Sequence, residues 1–176
     1  MDARAGHDAQ GSRRRRARRV IGGAAQGTCM RLELSYVFDI PVQEAFTYIT
    51  EMKNWPQYWP GFVRFADPAA ADWSRPGDQV KVVVKLLGRK RTIEMELKEY
   101  ERDQLVVYIS RQRRLPLIRH ERHFTPALPT GCKYRVIIEF EERKGLIGLI
   151  DRTIVRAAIK RSIHDAARNI RAAIES

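Results

Sequence analysis

The last stretch of the chain, about Leu146–Ile174, most constrains the fold. Ile147, Ile154, Val155, Ala158, Ile159, Ile163, Ala166 and Ile170 recur at helical spacing on one broad face. Arg156, Lys160, Arg161, His164, Arg168 and Arg171 lie opposite. At the rise of an α-helix this segment is roughly 40 Å long. A helix of that length with one apolar side must cover a large apolar surface, and the preceding residues supply one.

That surface reads as strands. Arg31–Asp39 alternates, with Leu32, Leu34, Tyr36 and Phe38 on one face. Pro41 suits the first turn of a helix, and Val42, Ala45, Phe46 and Ile49 follow at helical spacing. A second helical piece, about Glu51–Tyr58, ends at Trp59-Pro60-Gly61, which must turn the chain. Strands are then expected at Val63–Ala66, Gln79–Leu87, Arg91–Tyr100, Leu105–Arg111, Leu117–Thr125 and Lys133–Glu142. Short connections make them an antiparallel meander. The predicted class is α+β: a curved sheet of about seven strands, two short helices after the first, and a long C-terminal helix gripped by the sheet.

Charge divides the chain. The net charge is +12, and seven arginines against Asp2 and Asp8 give residues 1–30 a charge of +5, leaving +7 for residues 31–176. Residues 1–29 lack hydrophobic periodicity and cannot bury enough area to offset ordering, so they are read as a disordered basic leader before a domain at 30–176. Val20–Ala25 is too short and weak for an export core. Met30 as the natural start is the plainer expectation, and an intact N-terminus at Met1 would rule it out. With only Cys29 and Cys132, no disulfide framework is expected, and a reducing cytoplasm is the default compartment. The excess basic charge outside the leader suits an acidic partner.

The strand-two-helices-six-strands-helix order resembles the START-like (helix-grip, SRPBCC) superfamily, and within it the bacterial polyketide cyclase/dehydrase and lipid-transport group. Phe38-Asp39-Ile40-Pro41 into Ala45-Phe46, then Asn54-Trp55-Pro56-Gln57-Tyr58-Trp59-Pro60-Gly61, carry the likeness. His123-Phe124-Thr125-Pro126 through Gly131 into Tyr134–Glu142 adds to it. It spans about Arg31–Ile174 and implies the fold more sharply than the activity, because the superfamily hosts cyclases, lipid and quinone carriers, hormone receptors and ribosome-associated factors. The glycine-rich loop of plant pathogenesis-related members is missing: Ala66–Gly77 holds Pro68, Ala69 to Ala71 and Trp73 instead.

No nucleophile elbow, phosphate loop, dinucleotide fingerprint or ferredoxin-type metal motif occurs, so no cofactor is expected. His120 and His123 stand three apart on a strand, on opposite faces, and cannot chelate one ion, so no metal is expected either. Parity places His120 and Arg122 inside with Phe124, Tyr108 and Ser110 with Val106, and Tyr36 with Phe38. The expected ligand-binding wall is Tyr36, Phe38, Trp59, Val82, Val84, Ile93, Met95, Tyr108, His120, Arg122, Tyr134, Ile138, Ile154 and Ala158. Apolar walls with a few polar groups describe a small-molecule pocket. Alternate hairpin tips fall at one end of a meander, so Arg89 and Lys90, Arg113 and Arg114, and Arg143 and Lys144 are expected to form a basic rim, with Leu87 and Leu115 among them.

Three functions follow. The first is binding or transport of a hydrophobic small molecule (a lipid, an isoprenoid or a polyketide-like compound), with a rim suited to an anionic membrane surface or an acidic carrier protein. The second is a metal-free cyclase or dehydratase using His120, Arg122 and Tyr36 as catalytic groups. The third is an RNA- or ribosome-associated protein, disfavoured because few exposed aromatics stand among the basic residues.

Overall fold

A computed structural model describes residues 29–68, 72–86, 88–113, 115–141 and 150–175. The predicted leader lies outside them, apart from Cys29, which opens the first strand instead of belonging to a loose tail. The order is β1 (Cys29–Phe38), α1 (Val42–Thr50), a 3₁₀ turn (Met52–Asn54), α2 (Trp55–Tyr58), β2 (Phe62–Phe65), β3 (Gln79–Leu86), β4 (Arg89–Glu101), β5 (Leu105–Arg111), β6 (Ile118–Ala127), β7 (Gly131–Glu141), a π-helical turn (Asp151–Val155) and α3 (Arg156–Ile174).

The seven strands form one antiparallel sheet in the order β1-β7-β6-β5-β4-β3-β2. Period-2 patterning sets the register. Leu32 faces Ile138 and Tyr36 faces Tyr134 across β1 and β7, and Val82 faces Ile93 across β3 and β4. An irregularity between Leu97 and Glu99 interrupts the β4–β5 ladder; bulges of this kind bend the strand that holds them. At the β2 side, Gly61 has φ +75°, and a Cβ there would stand 2.6 Å from the Lys85 carbonyl oxygen, so only glycine lets the chain turn this close to β3.

The inner face packs most densely at the end of the sheet away from the β3–β4 and β5–β6 hairpin tips. Phe124 is 2% exposed, and its ring meets Phe46 of α1 and Tyr134 of β7 at 5.0 and 5.1 Å. α1 supplies Val42, Ala45, Phe46 and Ile49 from one face, as its spacing predicts. Pro41 stands just before that helix instead of within its first turn. Trp55, fully buried, packs edge-on against Trp59 and Trp73 at 5.3 Å each.

The long helix is fastened at its C-terminal half. Asn169 Nδ2 donates to the Tyr58 carbonyl (3.2 Å), Arg171 donates to the Val37 carbonyl (2.6 Å), and Glu175 accepts from the Asp39 amide (3.0 Å). Ala167 and Ile170 are buried, whereas Ile154 in the preceding turn is 55% exposed. The helix is therefore fastened at its C-terminal end, and its sheet-facing side from Ile154 to Ile170 borders a hollow. Among the described residues, no helix is long and apolar enough to cross a membrane.

Candidate functional site

The hollow is a cavity of about 740 Å³ between β4–β7 and α3 with its preceding turn, whose sheet-facing side lines the cavity from Ile154 as far as Ile170. Strand alternation builds its walls: Ile93 and Met95 from β4, Val136 and Ile138 from β7. The helix adds Ile159 and Ile163 from the stripe that defines its apolar face. Leu86, Arg89, Arg91, Arg113 and Pro116, from the hairpin tips, line the opening together with Ile154.

Moving inward along β6, the cavity-facing residues run Ile118, His120, Arg122, after which Phe124 belongs to the solid core. Along β5 they run Ser110 and then Tyr108. The polar groups thus gather at the inner end. Arg122 donates to the Tyr108 hydroxyl at 2.9 Å, and its guanidinium lies 5.1 Å from the Tyr108 ring centre and 6.0 Å from that of Trp55. His120 stacks on Tyr108, with centroids 4.4 Å apart and planes within 7°, and its Nε2 bonds to Ser110 Oγ at 2.8 Å.

These surroundings fix the charges. Desolvation, reinforced by the Arg122 cation, pushes the His120 pKa down to about 3, so its ring is neutral near pH 7. Burial pushes Tyr134 up to about 12 and raises Tyr58 further, so both hydroxyls keep their protons. Burial opposes the Arg122 charge, but its contacts with Tyr108, Tyr134 and Tyr58 outweigh that, and the guanidinium stays protonated. The Tyr58 proton goes to the Ile49 carbonyl at 2.6 Å, whereas the Tyr134 hydroxyl has no hydrogen-bond partner among the described residues.

Of the residues expected on the wall, Trp59, Ile93, Met95, Tyr108, His120, Arg122, Tyr134, Ile138, Ile154 and Ala158 line the cavity. Tyr36, Phe38, Val82 and Val84 do not. Tyr36 has the expected parity, but α3 covers it, and its hydroxyl meets His164 Nδ1 at 2.9 Å. Phe38 is fully buried against Tyr134, and Val82 and Val84 are fully buried in the same core as the Trp55 cluster, where bulky rings leave no hollow. Arg89 and Arg113 reach the opening, but Lys90 points to the other face; Arg91, overlooked in the sequence, takes the inward position by its parity with Ile93. Arg114, Arg143 and Lys144, with Leu87, lie outside the described residues. Ser110, inward by its parity with Tyr108, and Tyr58, at the end of α2, also line the cavity, although neither was expected on the wall. His123 pairs with Glu121 at 3.0 Å, away from His120 and Ser110.

The fold is shared with many solved structures. An aromatase/cyclase, Zhui, from Streptomyces sp. R1128 superposes with a TM-score of 0.71 at 10% identity, covering 84% of this chain and 94% of that one. A START superfamily protein from Mycobacterium smegmatis gives 0.65 at 11% identity, covering 82% and 97%. Protein CV1439 from Chromobacterium violaceum gives 0.65 at 14% identity, covering 83% and 98%. No curated protein matches significantly in sequence. A family profile described as "Polyketide cyclase / dehydrase and lipid transport" matches residues 30–175. With its sheet, helices and cavity in that arrangement, the chain belongs to the polyketide cyclase / dehydrase and lipid transport family.

Proposed function

We propose that this protein binds and carries a hydrophobic small molecule, lipid-, isoprenoid- or polyketide-like, in the cavity beneath α3. The observation behind this is the hollow itself: about 740 Å³, walled by aliphatic side chains, with its polar groups collected at one end. Pockets of roughly 300–1,000 Å³ with such linings are typical of small-molecule sites. Arg122, with neutral His120, orients the polar end of the ligand, and apolar burial supplies most of the affinity. Tyr36 has no part in it.

Arg89, Arg91 and Arg113 at the opening favour an acidic surface, either an anionic bilayer or an acidic carrier protein. Three cations at about 1 kcal/mol each give roughly 3 kcal/mol near an anionic membrane, which suits reversible docking. The cytoplasm is the proposed compartment, in keeping with a sequence whose two cysteines make no disulfide framework. Native mass spectrometry of the purified protein is expected to reveal a co-purified apolar molecule, released on denaturation. A homogeneous apo mass that takes up none from a lipid extract contradicts the proposal.

A cyclase or dehydratase is the second reading, favoured by the convergence of Arg122 and the Tyr134 hydroxyl at the inner end, where a developing enolate could be stabilised. His120 is poorly suited to move protons there, since a ring with a pKa near 3 is a weak base. Arg122 variants that bind normally but lose turnover would favour this reading. An RNA-binding role has less support. Several outer cations are matched by carboxylates: Lys81 with Glu94 at 2.8 Å, Arg119 with Glu121 at 3.0 Å, Arg31 with Glu139, and Lys98 with Glu96.

A further inference from the structure

We propose that the ligand of this cavity carries a single negative charge at one end of an apolar body, as an amphipathic carboxylic acid does, and that Arg122 receives that charge. The inference rests on the cavity being a ligand site and names the chemistry of its occupant.

Arg122 is a cation without a counter-ion: it lies at the inner end of the hollow, and among the described residues no carboxylate pairs with it. The acidic residue next to it, Glu121, has the opposite parity and is held by Arg119 and His123. The groups around the guanidinium are instead the hydroxyls of Tyr108, Tyr134 and Tyr58 and the faces of Tyr108 and Trp55. An enclosed charge without its opposite destabilises the fold that holds it. Packing at this position needs only a long apolar side chain, and the bond to Tyr108 needs only a neutral donor. The charge therefore serves something other than the fold.

The second observation is the donor beside it. Tyr134 lines the same end of the cavity, keeps its proton, and has no hydrogen-bond partner among the described residues. The proton of Tyr58 is already committed to a carbonyl, and His120 is neutral and engaged with Ser110. One guanidinium and one neutral O–H then face the hollow together. This set matches a monoanion with two oxygens, one for each donor. A phosphate monoester, with close to two charges, would leave one uncompensated.

Position fixes direction. Because the cation stands at the inner end and Ile93, Val136, Ile138 and Ile159 line the rest, the acidic end enters first and the apolar tail lies back toward the opening.

The test is a matched pair of probes, lauric acid and lauryl alcohol, measured by displacement of the neutral dye N-phenyl-1-naphthylamine from the full chain. The wild type is expected to bind the acid about 10- to 100-fold more tightly than the alcohol, as hydrogen bonds to a charged group allow. Arg122→Met is expected to lose that preference, and Tyr134→Phe to narrow it about three- to tenfold. If Arg122→Met does not fold, Arg122→Gln replaces it with the same expectation. Equal affinity for the two probes in the wild type, or an acid preference that survives the loss of Arg122, overturns the inference and leaves the cavity reading standing. Binding of the dye with neither probe able to displace it also overturns the inference. Failure of the dye to bind at all overturns both.

Discussion

Protonation of His120 offers a direct measure of how enclosed the inner end of the cavity is. Its folded pKa is pushed down to about 3 by desolvation and by Arg122, against an unfolded value near 6.5. A histidine depressed in this way contributes stability that is present above pH 6.5 and is lost as the pH falls toward 3. Between pH 7 and pH 5 the unfolded chain gains most of a proton that the folded chain refuses. The full shift corresponds to a loss of about 2 kcal/mol over that interval. Water entering at the open end screens part of this, which lowers the expectation to about 1–2 kcal/mol. For a chain of this length that is a melting-temperature difference of roughly 2–8 °C.

His120→Phe isolates the effect. Phenylalanine keeps the stack on Tyr108 and cannot take a proton; the Ser110 hydroxyl loses its partner, but equally at both pH values. Differential scanning calorimetry of both proteins at pH 7 and pH 5 gives the comparison. The wild type is expected to lose more on acidification than His120→Phe by the amount above, since every other titrating group is common to both. Equal losses, or an NMR titration that places His120 near 6.5, would refute the reasoning and mean that the inner end is as wet as bulk solvent.

Two further substitutions probe the frame around the cavity. Phe124→Ala, which removes a ring 2% exposed between Phe46 and Tyr134, is expected to cost about 3–5 kcal/mol in chemical denaturation. Gly61→Ala meets both a positive φ and the Lys85 carbonyl, and is expected to lower stability by about 1–3 kcal/mol in the same assay, with the m-value unchanged.

The architecture was legible because each element signals itself at its own period. Val80, Val82 and Val84 alternate as a strand must, and Ile159, Ile163, Ala166 and Ile170 repeat as a helix must. Parity also brought His120, Arg122 and Tyr108 to one side of the sheet. What parity cannot tell is which part of an inward face meets a hollow and which meets packed atoms. Val84 and Ile93 both face inward from paired strands, yet Val84 lies in the solid core and Ile93 on the cavity wall. The difference depends on where the helix leaves the sheet. That in turn depends on the Asn169 and Arg171 contacts to Tyr58 and Val37, which join residues more than a hundred positions apart. Tyr36 meets α3 and not the cavity for the same reason: its partner His164 comes from a distant element whose rotation about its axis no local pattern reveals. The stack of His120 on Tyr108 was equally invisible, although cross-strand register pairs those two residues.

A ligand-sized hollow between α3 and the sheet is what every functional reading above requires. Ala166 faces that hollow from the middle of the helix, so Ala166→Phe should fill part of it without disturbing the fastened end. Titration with N-phenyl-1-naphthylamine is expected to give one saturable site per chain in the wild type, and a loss of at least about tenfold in affinity in Ala166→Phe. The far-UV circular dichroism should stay the same, and the melting temperature should be equal or higher. Binding that is undiminished by Ala166→Phe, or a substitution that unfolds the protein because no space exists for the ring, would contradict the account.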